Sequence, residues 1–111
     1  MQNSKFIIQS DSTILQAIDK ISNNSYRTVI VLNKNKVLGV ISEGDILKSI
    51  LKNIDLKANI KISMNKSFKF VKIGQEEKAK EIFKKHLVGI VPVLNDKMHL
   101  KKILKITSIF R

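Results

Sequence analysis

The sequence predicts an α+β fold of two pseudo-symmetric β-α-β-β-α halves, and three observations carry that expectation. A single offset of 62 residues lays one half of the 111-residue chain on the other. It sets Phe6-Ile7-Ile8 on Phe68-Lys69-Phe70, Ala17 on Ala79, Ile21 on Phe83, and Val29-Ile30-Val31-Leu32-Asn33 on Val91-Pro92-Val93-Leu94-Asn95. Within each half, short β-branched runs alternate with a stretch of helical periodicity. A composition 43% hydrophobic over this length fills one real core and hardly two independent ones, so a single domain over 1–111 is expected.

In the first half, Phe6 to Ile8 reads as a short apolar strand. Thr13-x-x-Gln16 then caps a helix whose Ile14, Leu15, Ile18 and Ile21 form one apolar face, and Asn23-Asn24-Ser25 ends it. Thr28 to Leu32 is a β-branched run expected to be buried on both faces. Asn33-Lys34-Asn35-Lys36 turns it into Val37 to Ser42 as a hairpin, and a helix from about Gly44 to Leu51 closes the half. The second half repeats the order. Phe68 to Ile73 is its short strand, and Glu76 to about Lys85 its helix, with acids in the first turn and Lys84, Lys85 and His86 in the last, as the macrodipole favours. Gly89 to Leu94 and Met98 to about Ile106 form its hairpin. Pro92 has no N–H to give a ladder, so its strand is expected at a sheet edge or with a bulge. Only Thr107 to Arg111 follows, too little for a full closing helix. The apolar Ile109 and Phe110 there are read in two ways, as ordinary packing or as the cut end of an N-terminal piece of a longer protein. The boundaries expected are repeat one at about 5–52, a linker at about 53–66 and repeat two at about 67–111.

Composition excludes several function classes. With no cysteine there is neither a disulfide framework nor a thiolate metal site, and the absence of a leader or a membrane-length apolar run points to a cytoplasmic, soluble protein with no membrane partner. The net charge of +12 invites a nucleic-acid partner. Its make-up argues against a specific one. Only Arg27 and Arg111 among the 21 basic residues are arginine, the side chain that forks onto phosphate or guanine. The lysines stand singly or in pairs among apolar positions, without an aromatic platform. Catalysis has little support. His86 at a helix end and His99 within a strand lack a partner carboxylate at recognisable spacing, and no phosphate-cradling glycine loop with its lysine occurs. No catalytic residue and no metal ligand is assigned.

The stretch from Gly39 to Asp45 is the most informative. It leaves an apolar strand, crosses a glycine and opens an apolar-periodic helix. Ser42 and the N–H groups of the helix start suit phosphate oxygens, and Asp45 is a carboxylate able to accept both hydroxyls of a ribose. The same two residues also fit the S-x-x-[DE] capping box, in which they only satisfy orphan N–H groups of the helix carrying Ile46, Leu47, Ile50 and Leu51.

Two tandem β-α-β-β-α units, a V-x-V-L-N strand before a short turn, and Gly-apolar-apolar-Ser-x-x-Asp opening the last helix together resemble a tandem pair of CBS domains, the Bateman module. Gly39 to Ile46 matches the family's G-h-h-[ST]-x-x-D-h signature, and Ile62-Ser63-Met64-Asn65 resembles the segment that opens a second repeat. The resemblance implies two repeats packed sheet to sheet with clefts for adenine nucleotides. It implies Ser42 as a phosphate contact and Asp45 as the ribose acceptor, with Gly39 in the signature. Ile62, Met64, Ile90 and Pro92 would enclose the base. In repeat two, Gly39, Ser42 and Asp45 fall on Lys101, Leu104 and Thr107 or, with one extra turn residue, on Lys102, Lys105 and Ser108. Neither register holds an acid, so one nucleotide site per chain is expected.

The function this implies is a regulatory sensor of the AMP or ATP type, with AMP, ADP or ATP as regulatory ligand and no required cofactor. It would control an attached or associated catalytic domain, for which a sugar nucleotidyltransferase is one suitable context. The alternative is a ligand-independent module that homodimerises through its helices, with Ser42 and Asp45 serving only as a cap.

Overall fold

A computed structural model describes residues 4–109. The chain divides into two units, one running to Phe68 and one from Lys69, each built on its own three-stranded sheet. The α+β class and the two-repeat organisation are those expected.

In the first unit β1 (Ile7–Gln9) runs parallel to β2 (Thr28–Asn33), which pairs antiparallel with β3 (Lys36–Ser42), so β2 is central. Its Val29, Ile30, Val31 and Leu32 are all buried, as a β-branched run without alternation requires. Helix α1 (Ile14–Ser22) and helix α2 (Glu43–Leu51) cover one face, and Ile8, Ile14, Ala17, Ile21, Val29, Val31, Ile41, Ile46 and Ile60 form the core between them. The strand expected at Phe6 begins one residue later, because Ser4–Phe6 turns as a 3-10 helix and Ile7 is the first residue to pair with β2.

Every N–H of the first turn of α1 has a partner. Ile14 and Leu15 donate to the carbonyls of Ala58 and Leu56 at 3.0 and 2.9 Å, Gln16 donates to Thr13 Oγ1 at 3.2 Å, and Ala17 to the Thr13 carbonyl at 3.1 Å. The predicted box is complete, since Thr13 N–H donates to Gln16 Oε1 at 2.9 Å. Two of these four partners come from the stretch after α2, so the segment expected as a linker lies along the first unit. Farther on, Val40 and Asn65 exchange both backbone hydrogen bonds, at 3.1 and 2.8 Å, which covers the outer edge of β3.

Asn24 joins the end of α1 to the start of β2. Buried to 5% exposure, its amide reaches the carbonyls of Lys5, Lys20 and Thr28, each at 3.1 Å, while Oδ1 accepts from the N–H of Tyr26 at 3.1 Å. An Asn at a helix end was legible as a terminator; its role as a hub depends on residues 19 positions away.

The second unit repeats the order with β4 (Val71–Lys72), α3 (Ala79–Lys85), β5 (Ile90–Leu94), β6 (Leu100–Lys105) and α4 (Ile106–Ile109). The strand expected over 68–73 shrinks to two residues, since only Val71 and Lys72 pair with β5. The helix expected from Glu76 opens instead as a 3-10 turn, Glu76–Lys78, with no side-chain cap, and becomes α-helical at Ala79. His99 is a bridge residue just ahead of β6, its carbonyl accepting from the Asn95 N–H at 3.1 Å and its own N–H held by Asn95 Oδ1. Ile109 packs against the core of Val71, Ala79, Phe83, Val91 and Val93. Phe110 lies outside the described residues.

Of the two expectations for the Pro92 strand, the bulge is met and the edge position is not. The strand is central, in the order β4-β5-β6. Ile106 N–H donates to the Gly89 carbonyl at 2.9 Å, which makes Gly89 and Ile106 a hydrogen-bonded pair. Alternation then makes Pro92 and Ile103 a non-bonded pair, with the proline nitrogen turned toward the β4 side, where the parallel ladder begins only at Val71 and Val93. A central strand therefore accepts proline because its short neighbour asks for no N–H there. The bulge that the proline also suggested falls between Val93 and Leu94, matching the one between Val31 and Leu32.

Several apolar residues of the predicted helix faces stay in solvent. Leu15, Leu47, Ile50 and Leu51 are 53%, 56%, 48% and 83% exposed. No helix among the described residues is long and apolar enough to cross a membrane.

Candidate functional site

Helix α2 starts where β3 ends. Thr28 pairs with Ser42, so the first residue of β2 and the last of β3 stand side by side at one end of the sheet. Ser42, extended at φ −104° and ψ 170°, is the N-cap. Its hydroxyl accepts from the Asp45 N–H at 3.3 Å, and Asp45 Oδ2 accepts from the Ser42 N–H at 2.9 Å and from Ser42 Oγ at 3.0 Å. The capping box foreseen as the alternative is thus formed. Both carboxylate contacts fall on Oδ2, and Oδ1 takes part in neither, so capping uses half of the acceptor capacity of Asp45.

Gly39, three residues before the cap, has its α-carbon against the segment that follows α2. A Cβ there would collide with Met64 Cγ and stand 2.8 Å from Met64 Sδ and 2.7 Å from the Asn65 carbonyl oxygen. The signature glycine is needed so that Met64 can lie across β3. Met64 is half-buried and packs on the first core, whereas Ile62 is 60% exposed. On the other side of Asp45, buried Ser49 donates to the Asp45 carbonyl at 3.2 Å and hydrogen bonds with Ser63. Met64 and Ser63 thereby tie the post-helix segment to both ends of the Ser42 to Asp45 turn. Ile90 and Pro92 lie on β5 of the second unit, both buried.

Arg27 was not singled out from the sequence. It sits just before β2 with φ +54°, a left-handed conformation that costs a non-glycine residue on the order of 1 kcal/mol. Its N–H donates to the Asn24 carbonyl at 3.4 Å, and its own carbonyl accepts from the Glu43 N–H at 3.1 Å, satisfying an orphan donor of α2. The guanidinium lies 4.0 Å from the Glu43 carboxylate, both side chains more than half exposed, so the ion pair itself adds little stability. One signal was available: it is the one arginine before the C-terminal residue in a lysine-rich chain.

The pairing registers also choose between the alternatives for the second repeat. Val31 pairs with Gly39 and Thr28 with Ser42, while Val93 pairs with Lys102 and Ile90 with Lys105. The second hairpin turn is one residue longer, so Gly39, Ser42 and Asp45 correspond to Lys102, Lys105 and Ser108. Lys102 pairs with Glu76 at 3.2 Å. The N–H of Glu76 itself and, second to it, the Lys102 contact hold the Glu76 carboxyl below its ordinary value.

Two hollows bear on the assignment. One of about 190 Å³ lies between α1 and α2, with Arg27 and Glu43 at its rim and Ile18, Ile46 and Leu47 in its walls. A larger one, about 470 Å³, is lined by Gln9, Ser12, Lys34 and Asn35 at the far end of β2. It contains no carboxylate, and neither hollow is lined by Ser42 or Asp45. Among the described residues no three carboxylate or imidazole side chains come together as a metal site would need.

Residues 1–52 match the family model of the CBS domain. The chain has the fold of a tandem CBS domain pair. It is similar to the Staphylococcus aureus protein OpuCA, with 22% identity, a TM-score of 0.74, and coverage of 95% of this chain and 88% of that one. It is similar to the Pyrobaculum aerophilum CBS domain protein PAE2072, solved with AMP, at 22% identity and a TM-score of 0.74 over 91% of this chain and 79% of that one. The Listeria monocytogenes protein CbpB, solved with c-di-AMP, gives 21% identity and a TM-score of 0.79 over 94% and 82%. No curated protein matches the sequence.

Proposed function

We propose that this chain is a regulatory module that binds an adenine nucleotide at the start of α2 and passes its occupancy to an attached or associated domain. The observation that carries the reading is the grouping of Ser42, Asp45 and Arg27 at one helix start, with Asp45 Oδ1 outside the capping box. Oδ1 accepts a ribose hydroxyl while the cap stays closed. Ser42 Oγ turns its one proton from Asp45 Oδ2 to the phosphate, which leaves the two backbone bonds of the cap in place; the Gly44 N–H meets the same group, and Arg27 supplies the countercharge. Gly39 and Met64 set the wall of the turn, and Ile62 offers exposed apolar surface to a base. The AMP of PAE2072 and the c-di-AMP of CbpB support the choice of an adenylate, because both proteins share this fold. The chain performs no reaction on what it binds. Regulation requires that ligand affinity differ between two arrangements, and the ties of Ser63 and Met64 to this turn give occupancy a route to the segment that joins the repeats.

Titration calorimetry of the full chain with AMP, ADP and ATP tests the proposal. Asp45→Asn should weaken the bound nucleotide by about 1.5 to 3 kcal/mol, the range for a hydrogen bond to a charged group. A wild-type chain that gives neither heat nor thermal shift with any of them would refute it.

A second reading has its own support. Leu15, Leu47, Ile50 and Leu51 give α1 and α2 an apolar surface that a second copy would cover. On that reading the chain is a ligand-independent association module. It is favoured by a stable dimer in sedimentation together with no response to nucleotide.

A further inference from the structure

We infer that Glu43 sets the charge this site accepts, admitting an adenosine ligand with one phosphate per nucleoside and disfavouring di- and triphosphates. The inference rests on the reading of Ser42, Asp45 and Arg27 above. Arg27 is the only guanidinium of the first unit, and its described carboxylate partner is the residue that opens α2. Main chain and side chain both hold the two together: Glu43 N–H donates to the Arg27 carbonyl at 3.1 Å, and the charged groups lie 4.0 Å apart. Their proximity therefore does not depend on two mobile side chains finding each other.

The consequence is a local balance unlike that of a polyphosphate site. A helix start supplies roughly half a positive charge. Arg27 adds one, whereas Glu43 and Asp45 bring two carboxylates within one turn of α2. Asp45 has structural work in the box. The Glu43 side chain caps nothing, is 61% exposed, and stands immediately after the proposed phosphate contact Ser42. A single phosphate reaches Ser42, the Gly44 N–H and Arg27 by displacing one exposed ion pair. Each further phosphate adds negative charge beside a carboxylate that the same displacement has left without its partner. Coulomb repulsion at this range is screened but not abolished, and it grows with every added charge.

The test titrates wild type and Glu43→Gln, as full chains in low salt without divalent metal, with adenosine, AMP, c-di-AMP, ADP and ATP. Wild type should bind AMP at least about tenfold tighter than ATP, and Glu43→Gln should narrow that ratio about three- to tenfold while leaving adenosine unchanged. The AMP and c-di-AMP arms separate a monoester ligand from a diester. An unchanged ratio, an equal tightening of AMP and ATP, or a wild type that prefers ATP would overturn the role of Glu43 and leave the nucleotide reading standing. Failure of every ligand to bind would overturn both. Circular dichroism of Glu43→Gln should match wild type and its melting should fall only slightly, since its side chain serves neither cap nor core and gives the helix start only an exposed first-turn charge.

Discussion

Gly39→Ala should be the most disruptive single methyl addition in the first unit, and its size follows from what the added carbon meets. The new Cβ would overlap Met64 Cγ and stand 2.7 Å from the Asn65 carbonyl oxygen. Met64 is a flexible chain and swings away at the loss of part of its packing. The Asn65 backbone cannot do so freely, because Asn65 and Val40 exchange two hydrogen bonds of 2.8 and 3.1 Å along β3. Giving up those two bonds costs about 2 kcal/mol, and misplacing Met64 about another 1, for a total of about 2 to 4 kcal/mol. In a chain of this size that lowers the melting temperature by on the order of 10 °C. Gly44→Ala is the internal control. Its Cβ meets only Ser42 Oγ at 3.7 Å, and alanine favours helix over glycine by about 0.5 to 1 kcal/mol, so this variant should be neutral or more stable. Thermal and urea melts of Gly39→Ala, Gly44→Ala, Met64→Ala and Gly39→Ala with Met64→Ala complete the set. The double variant should recover part of the loss and not all, because the carbonyl contact persists. A Gly39→Ala protein within about 0.5 kcal/mol of wild type would refute the close approach.

Asn24→Ala should cost about 2 to 4 kcal/mol in denaturant melts, because it strands three carbonyls and the Tyr26 N–H at a buried junction; a loss under about 0.5 kcal/mol would mean water replaces the amide. Glu76 has a folded pKa below its unfolded value, so the stability it contributes is present above the ordinary 4.5 and disappears as pH falls through the lower folded value. Glu76→Gln should therefore reduce the acid sensitivity of melting in that window and leave the slope near neutral pH unchanged. Equal acid profiles for the two proteins would show that Glu76 carries no protonation linkage.

The 62-residue repeat, the first capping box, the central β-branched strand and the Ser42 to Asp45 turn were all legible in the sequence. The repeat is a likeness between two stretches of sequence and needs no contact to be seen; the other three depend on side chains within a few residues of one another, where spacing alone fixes which face or which N–H they reach. The same locality explains why Ser42 and Asp45 were recognisable both as a cap and as a nucleotide contact, two roles that share one geometry. What needed the tertiary structure involved partners far along the chain. The clash that keeps Gly39 a glycine comes from Met64 and Asn65, two of the first-turn donors of α1 are satisfied by Leu56 and Ala58, and Arg27 gains its interest from Glu43, sixteen residues on. Pro92 shows the limit most plainly. The sequence says that its nitrogen gives no hydrogen bond, but whether a neighbour asks for one depends on where β4 begins. That is decided by the pairing of two strands, which no local pattern encodes.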